Sequence, residues 1–255
     1  MASYTVVATN WATAVENKIH DDEVARRYGF GGGLVPGVTL YGYMARPIVE
    51  AWGPEWFERG EAAVRFVHPV YDGEVVTTTV TDTVVELRNE GGTVCATGTA
   101  GLGADPVDVP ALVRTAKPLR RPPADEDSLA PGRDLGSVIH VFDGAAADDY
   151  LDLIGDDLDC YRGRRAVAHP GWLVLDANEV LAANVKLGPW IHVGSEVRNL
   201  RPVTIGDEVV TDARVRANYE RKGHHLVELD VIVSADGAPA AVIHHTAIWR
   251  VRLAE

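Results

Sequence analysis

Two landmarks recur along the chain at nearly one spacing, and a chain that repeats itself over this distance must fold as two like units. Pro36-Gly37 is matched by Pro170-Gly171 at an offset of 134, and Pro69-Val70-Tyr71-Asp72-Gly73 by Pro202-Val203-Thr204-Ile205-Gly206 at 133. Around both the order of signals is the same: a polar segment, a Pro-Gly pair opening an apolar helix, then long alternating strands. Between the copies, residues 105–136 carry Pro106, Pro110, Pro118, Pro122, Pro123 and Pro131 in a charged, poorly periodic stretch, which reads as a linker. The expected division is 1–104, the linker 105–136, and 137–255. The 255 residues suffice for two small cores.

In the second copy, residues 172–187 are apolar nearly all round and precede Gly188-Pro189, a helix stop. In the first, residues 38–52 make the equivalent helix, with Pro47 expected to break or kink it. Each helix is followed by β-branched alternation: 62–66, 75–87 and 93–102, then 195–200, 208–219, 225–234 and 240–250. Gly91-Gly92 and Asp236-Gly237 mark hairpin turns. One buried helix followed by several long antiparallel strands, twice over, is an α+β layout.

Several function classes drop out. The formal charge of −13 disfavours nucleic acid and anionic membranes, which reward a basic face. Cys95 and Cys160 lie far apart, outside any CxxC or Cys/His cluster, so neither a disulfide framework nor a structural zinc site is expected. The first residues form no signal peptide, and no run of about 18 apolar residues occurs. The expectation is a cytoplasmic protein. Gly29, Gly31, Gly32 and Gly33 do not follow a strand of a βαβ unit, so they read as a flexible loop rather than a phosphate cradle. The pairs His224-His225 and His244-His245 point to opposite faces of a strand and make poor joint ligands. No metal or organic cofactor is expected.

Asn17-Lys18-Ile19-His20, Ala25, Tyr28-Gly29-Phe30 and Leu34-Val35-Pro36-Gly37-Val38, together with the two Pro…Gly turns, resemble the MaoC-like hot-dog family in its tandem, or double hot-dog, form. The resemblance implies a long antiparallel sheet wrapped around two central helices. It also implies hydratase or dehydratase activity on an acyl thioester of coenzyme A or of an acyl carrier protein. Further homodimerisation is left open. The family motif Asp-x-Asn-Pro-x-His falls on Val15, Asn17 and His20, so the carboxylate position holds valine. In the second copy the same segment falls on Asp156, Leu158 and Tyr161, again without a complete set.

Adding water to an enoyl thioester needs a base for water, an acid for Cα and donors for the enolate-like oxygen. His20 is the expected acid/base, Asn17 its orienting neighbour or a thioester donor, and Glu16 the substitute carboxylate, each with a bland alternative as a surface or capping residue. Gly37 and Val38 offer N–H groups at a helix start, and Tyr41 and Tyr43 are candidate acyl-pocket walls. Asp176, Asn178 and Glu179 are polar on an otherwise apolar helix. Hot-dog thioesterases carry a carboxylate there, which makes Asp176, with Glu179, the rival catalytic centre and Asp156 a second alternative. Arg162, Arg164 and Arg165 are candidates for coenzyme A phosphates or a solvated loop.

Overall fold

The alternating runs become ten strands of one antiparallel sheet in a computed structural model that describes residues 1–104 and 107–253. In the first copy these are β1 (Ala2–Val7), β2 (Gly60–Phe66), β3 (Val75–Thr81), β4 (Val84–Asn89) and β5 (Val94–Leu102). In the second they are β6 (Asp134–Val141), β7 (Ile191–Asn199), β8 (Glu208–Arg221), β9 (His224–Ala235) and β10 (Ala238–Arg250). The spatial order β1-β3-β4-β5-β2-β7-β10-β9-β8-β6 reads the same from either end once copies are matched, so the sheet has a pseudo-twofold at the β2–β7 seam. There Glu61 pairs with Arg198 and Arg65 with Gly194, antiparallel.

The helices are α1 (Asp22–Arg27), α2 (Gly37–Trp52), α3 (Trp56–Arg59), α4 (Gly144–Ile154) and α5 (Pro170–Asn184). α2 packs on the first copy's strands, α5 on the second's, and the two helices touch at the seam. Val38, Tyr41, Met44 and Ile48 of α2 and Val174, Ala177, Val180 and Leu181 of α5 are fully or almost fully buried. Burial of these faces removes apolar surface from water at about 25 cal/mol per Å², which is the main term holding helix to sheet.

Four expectations change in detail. The run 75–87 is two strands, because Asp82 adopts a positive φ of 53° and turns the chain between β3 and β4. α2 runs unbroken through the buried Pro47. α5 stops at Asn184 rather than 187, where the Asn184 amide donates to Gly136 O and Val180 O and accepts from Gly136 N. The Pro-Gly pairs are one residue out of structural register: Val35 N bonds Val70 O and Ala168 N bonds Val203 O, so Pro36 matches His169, and the offset is 133 at both landmarks.

The Pro-rich stretch is held against the second copy. Ser137 N donates to Thr115 O, Ala124 N donates to Lys186 O while Lys186 N donates to Pro122 O, and Leu129 is fully buried. β6 begins at Asp134, inside the stretch expected as linker, and residues 105–106 lie outside the described residues. Among the described residues no helix is long and apolar enough to cross a membrane.

Candidate active site

Capping side chains shape the segment before α2. Asn10 Oδ1 accepts from Ala12 N, Asn17 Oδ1 from Ile19 N and Asp21 Oδ1 from Val24 N, giving two short 3₁₀ turns and then α1. Gly33 lies flat against His20: a Cβ there would sit 2.1 Å from His20 O. Only glycine allows that approach. Asn10 Nδ2 also donates to His20 O at 2.8 Å, so the backbone carrying the imidazole is fixed from two sides. The glycine loop expected to be flexible is tied down, with Gly31 N donating to Tyr71 Oη and Gly33 N to Asp22 Oδ1.

His20 Nδ1 lies 2.7 Å from Leu34 O, and since a carbonyl only accepts, Nδ1 carries the proton. Nε2 is then a bare acceptor, 3.3 Å from Asn17 Nδ2. Burial holds the imidazole below its usual value, partly offset by the Leu34 bond, which favours the neutral ring. Asn17 does more than cap. Its Nδ2 donates to Trp190 O at 2.9 Å and its Oδ1 accepts from Trp190 N at 3.1 Å, a two-bond clamp joining the copies.

His20 opens on a cavity of about 360 Å³ between the copies. Val15, Glu16, Asn17, His20 and Val38 line it from the first copy, Leu175, Asn178, Glu179 and Ala182 of α5 from the second, and Arg121 from the connector. A smaller chamber of about 30 Å³ adjoins it, walled by His20, Asn17, Gly37, Asn178 and His192. Gly37 and Val38 begin α2, so their N–H groups have no intrahelical acceptor. A Cβ on Gly37 would lie 3.0 Å from His192 O, so glycine is what fits.

Some expected residues stand elsewhere. Glu16 faces the cavity but is half-exposed and pairs with Arg121 Nη2 at 3.0 and 2.9 Å. Arg121 Nη1 also donates to Ala182 O, so this pair closes one edge of the cavity. Tyr41 and Tyr43 line neither space; both are buried in the core, and burial raises both hydroxyls. Asp176 is on the other side of α5, where its Oδ2 accepts from Thr211 Oγ1 at 2.9 Å and lies 3.1 Å from His140 Nε2, whose proton affinity it raises. Glu179 does line the cavity; it is exposed at the surface, and partial desolvation with the nearby Asp176 charge raises its carboxyl.

Asp156 is buried between His169 Nε2 at 3.2 Å and Arg46 Nη1 at 2.9 Å, and those partners keep it below the usual carboxylate range although burial pushes it up. Its stretch 156–161 follows α4, whereas 15–20 precede α1, so the two segments are not structural counterparts. Arg162, Arg164 and Arg165 do not line the cavity. His244 pairs with Asp230 at 3.0 Å on one face of β10 and His245 is buried on the other.

Two residues carry more than the sequence suggested. His192 and Ser195 are three apart on β7 yet share a buried face, because Thr246 pairs with Gly194 and Ala247 with His192, leaving Val193 as a bulge. Ser195 Oγ lies 2.9 Å from His192 Nε2 and 3.0 Å from His245 Nδ1, and the two rings stack at 4.3 Å. Asn178 Oδ1 is buried without a partner.

No protein-family model matches the chain, and no curated protein matches it in sequence. Solved structures match its fold along nearly the whole length. A MaoC-like dehydratase is similar at 14% identity and a TM-score of 0.61, covering 99% of this chain and 98% of that one. A Mycobacterium tuberculosis protein described as essential for survival during infection and as a double hotdog fold is 14% identical, with a TM-score of 0.62, over 96% and 93% of the two chains. A Lactobacillus plantarum protein assigned provisionally as an oleoyl thioesterase is 13% identical, with a TM-score of 0.55, over 100% and 97%. With two helices packed on a ten-stranded antiparallel sheet of pseudo-twofold order, this chain has the double hot-dog fold seen in MaoC-like dehydratases.

Proposed function

We propose that the cavity binds an acyl thioester and that His20 catalyses reversible addition of water across its α,β-double bond. The observation that carries this reading is the fixed tautomer of His20: a neutral ring with Nε2 unprotonated, opening on a cavity walled by Val38 and an adjoining chamber walled by Gly37, the first two residues of α2. Nε2 takes a proton from water as the water oxygen bonds to Cβ. The electron pair of the double bond moves to the thioester oxygen, which Gly37 and Val38 N–H stabilise. The imidazolium then returns the proton to Cα, so one residue serves both directions and no carboxylate at position 15 is required. The reaction as written uses protein groups and water alone.

Crotonyl-CoA is the test substrate. Loss of the enoyl absorbance without release of free thiol is the expected result. Thiol release would favour thioester hydrolysis with Glu179 as base, the reading supported by its raised carboxyl on the cavity wall. Binding with neither reaction would make the protein an acyl-group binder.

A further inference from the structure

Two residues that wall the chamber beside His20, Asn178 of α5 and His192 of β7, each carry a buried polar atom, Oδ1 and Nδ1, that makes no hydrogen bond. His192 is only 5% exposed. A buried polar atom left unpaired is destabilising, so two of them on residues walling one space point to an occupant that pairs with both. At about 30 Å³ the chamber exceeds the roughly 10–15 Å³ that one water needs and is too small for an acyl group.

We propose that this chamber is the seat of the reacting water, held between His20, Asn178 and His192. The amide on α5 thus takes the orienting part that the family resemblance gives to a carboxylate at position 15. This inference rests on the hydration reading above.

Water has two protons to give: Asn178 Oδ1 is one acceptor, and His20 Nε2, approached otherwise only by Asn17 Nδ2 at a long 3.3 Å, is the other. A bare His192 Nδ1 would be a third acceptor with nothing to receive. Ser195 has one hydroxyl proton for its two imidazole neighbours, so it donates to one ring and accepts from the other. When it donates to His192 Nε2 and accepts from His245 Nδ1–H, the His192 proton sits on Nδ1, facing the chamber. The water oxygen then accepts that proton in a hydrogen bond and keeps its second lone pair for Cβ. Asn178 and His192 are positioning residues in this arrangement, and Ser195 and His245 set the direction of the chain.

The test combines a crystal structure of the whole chain with kinetics on crotonyl-CoA. The wild type should show an ordered water in the chamber. Asn178→Leu, close to the amide in shape but without its oxygen, should lose that water and lower kcat by roughly 10- to 100-fold with KM little changed, since misplacement of a reactant by about 1 Å costs on the order of 10²-fold. Asn178→Asp, which keeps the acceptor, should restore most of the rate. His192→Gln, whose amide reaches toward Ser195 but leaves nothing at Nδ1, should repeat the kcat loss and is an independent check if the leucine variant folds poorly. An active wild type with a dry chamber, or Asn178→Leu with unchanged kcat, overturns this proposal alone. A wild type that holds the water yet hydrates nothing overturns the hydration reading, and the water's catalytic role with it.

Discussion

Acidification from pH 7 to pH 5 should destabilise this protein through two imidazoles in its core. His192 and His245 are almost or fully buried, and burial drives His192 down to about 3 and His245 well below the usual value. In the unfolded chain both titrate near 6.5. Because the folded values lie lower, the unfolded chain binds protons that the folded one refuses, and stability falls as pH drops below about 6.5. At pH 5 an unfolded histidine is about 97% protonated, so each buried neutral ring costs about 2 kcal/mol relative to pH 7. That figure does not depend on how far below 5 the folded value lies. Together the two contribute about 4 kcal/mol, which in a chain of this size lowers Tm by roughly 8–16 °C. His140 and Glu179, whose values are raised, oppose the trend, while His20 and His169 reinforce it. The pair is therefore isolated by comparing wild type with His192→Gln/His245→Asn, amides that keep bonds to Ser195 and do not titrate. Thermal melts at pH 7 and 5 should show a steeper loss in the wild type by most of that amount. Equal slopes would refute a neutral buried pair.

Four further outcomes are expected. His20→Ala should reduce crotonyl-CoA hydration by about 10²–10⁴ while Tm moves little, and an active folded variant would remove His20 from the chemistry. Gly33→Ala should destabilise by about 1–3 kcal/mol in chemical denaturation, because the new methyl meets the backbone at His20 O; an unchanged midpoint would mean that the loop yields freely. Val15→Asp should raise the initial hydration rate, since Val15 is 36% exposed on the cavity wall and an aspartate there stays hydrated and ionised; a folded variant with no gain would place the water beyond its reach. The fragments 1–104 and 107–255 should each self-associate in light scattering and become soluble on co-expression, as each bares the β2–β7 seam and a helix face. Two monomeric, cooperatively folding fragments would contradict this.

The two-copy frame was legible because it rests on patterns a sequence carries: helix period, strand alternation and recurring Pro…Gly turns. The edge strands β1 and β6 were missed: β1 is a short run with every second side chain in solvent, and β6 lies partly inside the Pro-rich stretch. At the site, His20 and Gly37 were readable because their residue types are tied to local chemistry. The rest depends on contacts across the seam. Nothing local says that Asn17 clamps Trp190, 173 residues away, or that Arg121 of the connector reaches Glu16. His192 and Ser195 were hidden for a different reason. A period-2 reading puts them on opposite faces, and only the bulge at Val193 brings them together. Asp176 and Asn178 were both visible as polar residues on an apolar helix, but which of them faces the cavity is set by how α5 rotates against β6 and β8.

That rotation also bears on why a two-copy protein should have one open site. The segments between first strand and central helix are of nearly equal length in the two copies, yet one coils through short turns and α1 while the other runs as α4. α4 delivers Tyr150, whose ring lies 5.3 Å from that of His169, and Tyr161 approaches the same imidazole at 4.6 Å. A Cβ on Gly171 would meet Tyr150 Oη at 2.1 Å, so the tyrosine occupies the space at the start of α5 that corresponds to the cavity at the start of α2. His169 Nδ1 accepts from Gly171 N and its Nε2 faces Asp156, which Arg46 neutralises, so this imidazole keeps no free lone pair for a substrate. The space walled by Tyr150, Tyr161, His169 and Trp172 is filled and leaves no room for a substrate. The site beside α2 stays open instead, and the unpaired Asn178 Oδ1 and His192 Nδ1 belong to second-copy residues on its wall, a deficit that an incoming water or ligand can relieve.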